Sequence, residues 1–97
     1  MVVVKNPDKY VFVRFEKSHL KSKKYNAVLQ NTDNDLLKKI PFGSSSHEHY
    51  RDTTGLGAWT HKDHNDKERQ RLYKARHAKT AKNKFSSSWF SMRYLWK

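Results

Sequence analysis

The sequence predicts a small α+β fold: a small sheet with a β-hairpin, then one central basic helix and a short aromatic C-terminal helix. Three observations predict it. Residues 10–42 hold three short runs of strand formers separated by polar turns. Residues 61–82, HKDHNDKERQRLYKARHAKTAK, contain neither Gly nor Pro and carry helical spacing. The final stretch, WFSMRYLWK, follows three serines able to cap a helix.

Val2 to Lys5 is a short β-branched run, and Asn6-Pro7-Asp8 is a turn signal. The first strand is placed at 10–16. Strict alternation would put Tyr10, Phe12 and Arg14 on one face and Val11, Val13 and Phe15 on the other. Both faces are largely apolar, so both need cover, or one needs a partner. A basic connector, Ser18 to Lys24, leads to strands at 24–30 and 36–42. Asn31 to Asp35 is the hairpin turn between them, and Pro41 falls at the end of the second strand. Residues 44–60 read as loop, with Trp59 plugging it onto the core.

The central helix is placed at 65–82. Asn65 or Asp66 can cap it, and acids lead while bases trail, as the helix dipole favours. Leu72, Ala75 and Ala78 make a narrow apolar stripe expected to be buried. Beside it runs a second stripe of Arg69, Tyr73, Arg76 and His77. In the last helix Trp89, Met92, Arg93 and Trp96 are expected on one face, with Phe90 and Tyr94 on another. Packing against the central helix is the main expectation for these aromatics, and stacking on nucleic-acid bases the alternative. The chain thus divides into a basic N-terminal strand and connector, 1–23, and one hairpin-plus-helices domain, 24–97.

A chain of 97 residues makes one small domain. Only 35% of it is apolar, so the core must be thin, and thirteen Phe, Tyr and Trp residues supply much of it. A thin core in so small a domain is a first hint of a larger assembly. Without cysteine there are no disulfides and no thiolate metal sites. No apolar run approaches the ~18 residues of a membrane span, so no membrane partner is expected. The opening MVVV is shorter than the roughly 7–15 apolar residues of a signal-peptide core.

The net charge is +12. Residues 66–97 alone carry ten basic and two acidic side chains, while residues 44–65 are slightly acidic. Such an excess implies an anionic partner. Lys67, Arg71, Lys74, Lys79 and Lys82 are the candidates for contact with nucleic acid or an acidic protein. Arg69, Tyr73, Arg76 and His77, with Trp89 and Trp96, read as a structural stripe in which guanidinium groups meet carboxylates or aromatic faces.

His47-Glu48-His49 and His61-x-x-His64 have ligand-pair spacing, yet they fall in or beside a serine-rich loop. No metal or other cofactor is expected. Asp63-His64-Asn65 followed by His77 partly resembles His-Asn-His nucleases. Only 12 residues separate the two histidines, most of them helical, which fits that geometry poorly. With no phosphate loop, dinucleotide fingerprint or nucleophile elbow either, the chain is expected not to be an enzyme.

Several short features together resemble a family of small proteins encoded by large double-stranded DNA viruses, both giant viruses and large tailed phages. They are Lys24-Tyr25-x-Ala27-Val28-Leu29, Ile40-x-Phe42-Gly43, Tyr50-x-Asp52, His61-Lys62-Asp63, Glu68-Arg69, Tyr73, Arg76-His77, and Ser91 with Leu95 and Trp96. The stretch Thr53 to Thr60 is longer than that family's usual link, and Ser88 stands where it tends to have glycine. The resemblance implies a viral setting and a compact hairpin-plus-helices unit, and it brings no catalytic roles. The leading expectation is therefore a non-enzymatic virion structural protein, a minor capsid, cement or portal-associated component. It would be made in the host cell and bound to other virion proteins. The alternative is a basic nucleic-acid-binding protein, packaged with or acting on viral DNA.

Overall fold

The computed structural model describes residues 4–97. Three antiparallel strands in the order β1-β2-β3 form one sheet: β1 (Tyr10–Lys17), β2 (Lys23–Asn31) and β3 (Leu37–Ser44). Two helices follow, α1 (Lys67–His77) and α2 (Ser87–Tyr94). The fold is α+β, as its sequence predicts. Of the run Val2–Lys5, Val2 and Val3 lie outside the described residues, and Val4 is buried. Because β1 pairs with β2 along its length, the sheet spans the 23/24 boundary.

The central strand β2 is buried from Lys24 to Leu29. Its register sets Tyr25 opposite Phe42, Ala27 opposite Ile40 and Phe15, and Leu29 opposite Phe12. Strict alternation in β1 does not hold. Phe12 pairs with Leu29 and Arg14 with Val28, so Val13 is the extra residue of a β-bulge. The bulge brings Phe12 and Phe15 to one face, with ring centroids 4.8 Å apart. That face is covered by α2: Phe90 stacks on Phe42 at 5.6 Å, and Tyr94 meets Phe15 edge-on at 4.7 Å. On the other face, Asn26 donates to Glu16 at 3.1 Å, and Lys39 pairs with the same carboxylate at 2.9 Å.

The segment between β3 and α1 ties the C-terminus down. Backbone amides of Arg51 and Thr53 donate to the carbonyls of Leu95 and Tyr94, both at 2.9 Å. Trp59 is half-buried and plugs the segment onto β2, its indole nitrogen donating to the Lys24 carbonyl at 3.2 Å.

Two helix boundaries differ from expectation. The central helix ends at His77, not Lys82, and a tighter turn follows at Thr80–Lys82. The Thr80 hydroxyl takes the His77 carbonyl at 3.2 Å, which offers the backbone an alternative to another helical turn. At the other end Asp66 is the cap, accepting from the amides of Glu68 and Arg69. α2 stops at Tyr94, where the amides of Leu95 and Trp96 both donate to the Ser91 carbonyl. Trp96 therefore leaves the helix and does not share a face with Trp89.

The apolar stripe on α1 is also corrected. Leu72 is 47% exposed, and Ala75 and Ala78 are exposed as well. The face turned inward carries Gln70, Tyr73 and His77. Aromatic stacking decides this: Tyr73 lies flat on Trp96, with centroids 4.0 Å apart and planes 3° from parallel.

Gly43, with φ of +77°, ends the sheet where Leu95 docks. A Cβ there would stand 2.7 Å from Leu95 Cδ1 and 3.3 Å from Lys24 Cδ. Gly43→Ala is expected to cost about 2 kcal/mol or more, from backbone strain plus the clash, read as a lower urea midpoint.

Candidate binding surfaces around the central helix

α1 rests on the body along one narrow face, so its two flanks stay open. Lys67, Arg71 and Lys74, at i, i+4 and i+7, share one flank. Arg69, Leu72 and Arg76, at i, i+3 and i+7, lie on the opposite one. The stripe that the sequence groups as structural is thus divided among settings. Tyr73, His77 and Trp96 form an interior stack, Tyr73 to His77 being 4.3 Å. Burial and the neighbouring Arg76 hold His77 below the usual imidazole range, so it is neutral at pH 7. Arg69 and Arg76 are exposed, and Arg69 reaches Glu48 at 3.1 Å.

On the first flank a groove of about 580 Å³ opens between α1 and α2. Lys74 and Lys82 meet Arg93 and Lys97 there, and Trp89, Met92 and Tyr94 provide its apolar surface. Among the described residues, no acidic side chain lines it. The Arg93 guanidinium lies 4.5 Å from the centroid of the Trp89 ring. Trp89 thus belongs to this groove and not to the Tyr73–Trp96 stack. Lys67, Lys74, Lys79 and Lys82 have no ion-pair partner among the described residues, whereas Arg71 pairs with Glu68 at 2.5 Å. Lys67, Arg71 and Lys79 are exposed but do not line the groove. Sequence reasoning did not single out Arg93 and Lys97, which line this groove. The pairing of Arg93 with Trp89 had a signal, since the two stand four apart on one short helix, whereas Lys97 lies beyond that helix.

On the second flank a larger groove, about 940 Å³, runs from α1 to the ends of β2 and β3. Lys24, Arg69, Tyr73, Arg76, His77 and Trp96, all among the residues that carry the viral resemblance, line it. Lys24 is only 2% exposed and gives one hydrogen bond, to the His47 carbonyl at 2.7 Å.

Behind Lys24 sits a partly buried polar cluster. The Tyr25 hydroxyl donates to Asp52, which also accepts from the Thr54 hydroxyl at 2.6 Å and the Thr54 amide at 3.0 Å. Burial alone would raise the Asp52 pKa, but the bonds from Thr54 and Tyr25 outweigh it and leave the carboxyl below its ordinary value. His49 is fully buried and lies 2.5 Å from Asp63, which also accepts the Asp52 amide at 2.9 Å. The short contact resembles an ion pair, yet burial and the Lys24 charge press the imidazole toward neutrality. Nε2 faces the carboxylate and serves as the donor in this contact. The cluster fastens the 44–66 segment to β2.

Lys24 and the cluster's Tyr25 are expected to set stability in alkali. Burial and Lys62 lower the Lys24 pKa from 10.5 to about 8, so its charge opposes folding below that pH and the penalty lifts between about 8 and 10.5. Burial and the Asp52 bond raise Tyr25 from 10.0 to about 12, which stabilises the fold below pH 10 and is lost from 10 to about 12. Stability is expected to climb from pH 8 to about 10 and then fall. Urea midpoints across that range test it, with Lys24→Met removing the climb and Tyr25→Phe the fall.

Among the described residues, no three His, Asp or Glu side chains gather as a metal ion would need, and no helix is long and apolar enough to cross a membrane. In comparisons by sequence and by fold, the chain matches no family model, no curated protein and no solved structure.

Proposed function

We propose that this chain is a non-enzymatic nucleic-acid-binding protein, and that single-stranded segments lie in the groove between α1 and α2. One observation carries the reading: four cations converge on a groove floored by Trp89, Met92 and Tyr94 and lined by no acid. Lysine and arginine neutralise phosphates without reading sequence, and aromatic faces accept any base. Lys67 extends the positive field along the same flank, whereas the charge of Arg71 is offset by Glu68. The viral setting implied by the resemblance makes the viral genome the natural target, packaged in the particle or handled in the infected cell.

A titration of a fluorescent thymidine oligonucleotide tests the proposal. Trp89→Ala is expected to weaken binding by about 1–3 kcal/mol, the worth of one stacked base. Unchanged affinity in that variant would remove the groove from the interaction.

A second reading, a virion structural component fastened to capsid or portal subunits, is favoured by a different surface. Val11, Phe12 and Val13 on the edge strand β1 are 40–49% exposed, an apolar strip on an edge that pairs with no strand among the described residues. Opening particles and digesting the genome separates the two readings. A structural component stays with the shell in fixed ratio, and a genome binder leaves with the DNA.

A further inference from the structure

We infer that the second groove, on the Arg69–Arg76 flank of α1, binds the phosphate group of a nucleoside phosphate. The inference stands apart from the nucleic-acid groove, because the two lie on opposite flanks of the helix.

Charge comes first. Lys23, Lys24, Arg69 and Arg76 line this groove against a single acid, Glu48, which Arg69 already engages. Arg76 has no ion-pair partner among the described residues. The guanidinium fork and the ammonium together supply what a phosphate dianion needs.

Lys24 is the second observation. A buried ammonium is costly unless it is paired and fully hydrogen-bonded. This one is 2% exposed and feels the Asp52 and Asp63 carboxylates, yet its one hydrogen bond is to a backbone carbonyl, so two of its three N–H donors have no partner among the described residues. An anion at the groove floor satisfies them and offsets the cost of burying the charge. Gly43 keeps this corner open, since any Cβ there would press on the Lys24 side chain.

The rest of the lining suits an attached nucleoside. Leu20, Pro41 and Leu72 give apolar contact, while Ser44 and Ser87 add hydroxyl groups. A volume of about 940 Å³ fits a ligand of nucleotide size. The same phosphate chemistry reaches the groove from a free nucleotide or from the 5′-phosphorylated end of a strand.

The test uses the full chain and isothermal titration with ADP, and with 5′-phosphorylated and 5′-hydroxyl oligonucleotides. Saturable binding of ADP, or a preference for the phosphorylated end, is expected. Arg76→Ala and Lys24→Met should each weaken it about tenfold or more. Arg76 is exposed, so its variant keeps the fold. Lys74→Glu should leave ADP affinity within about twofold while weakening the oligonucleotide, which distinguishes failure here from failure of the nucleic-acid reading. Binding of ADP alone assigns a free nucleotide, and a preference only for the phosphorylated end assigns a strand terminus. Absence of both, or ADP binding that Arg76→Ala leaves intact, overturns the inference.

Discussion

Trp96→Ala is expected to destabilise the protein by about 3–5 kcal/mol. Trp96 is 9% exposed and fills the space between the 44–66 segment and α1. Its ring stacks on Tyr73 at 4.0 Å and meets His64 at 5.2 Å. Its backbone carbonyl accepts the Gln70 side chain at 3.1 Å. Among the described residues α1 has no other large aromatic contact inward, and Leu72 is 47% exposed. Loss of the ring therefore strips Tyr73 of its flat partner and leaves α1 held inward mainly by the Tyr73 hydroxyl's bond to Ser91 at 3.1 Å and the Gln70 bond. Urea unfolding checks the magnitude, and helix content by circular dichroism should fall with it. Leu72→Ala, by contrast, is expected to change stability by less than about 0.5 kcal/mol, because the side chain is exposed.

Lys74→Glu combined with Lys82→Glu is expected to lower oligonucleotide affinity on the order of a hundredfold near 0.1 M salt. The change removes two positive charges from the groove and adds two negative ones. Both side chains are exposed and without acid partners among the described residues, so the fold should be untouched. Fluorescence anisotropy reads the affinity, and an unchanged urea midpoint shows that the loss is not unfolding. Charge reversal at Lys79, which is exposed but outside the groove, is expected to do much less.

Much of this architecture was legible in the sequence. Three strands, the turn before Leu36, the Asp66 cap and the basic helix follow from local residue chemistry. What was hidden depends on tertiary contact. The bulge at Val13 arises from pairing with β2, so alternation along β1 alone gives the wrong faces. The inward face of α1 is chosen by Trp96, a residue distant in sequence, and this overrides the aliphatic stripe. The helix end at His77 rests on a threonine hydroxyl that serves equally well on a surface helix. The cations of the α1–α2 groove were half legible: Lys74 and Lys82 stand out as a basic run, while Arg93 and Lys97 join them only when α2 folds back beside α1. The burial of Lys24 was invisible, since a lysine in a basic connector reads as solvated.

The salt dependence of single-stranded oligonucleotide affinity tests the central claim most directly. Four groove cations predict a linear fall of log affinity with log salt, with a slope of about −3. The Lys74→Glu, Lys82→Glu variant should flatten it by half or more. Affinity indifferent to salt, or a slope the variant leaves unchanged, would contradict the account.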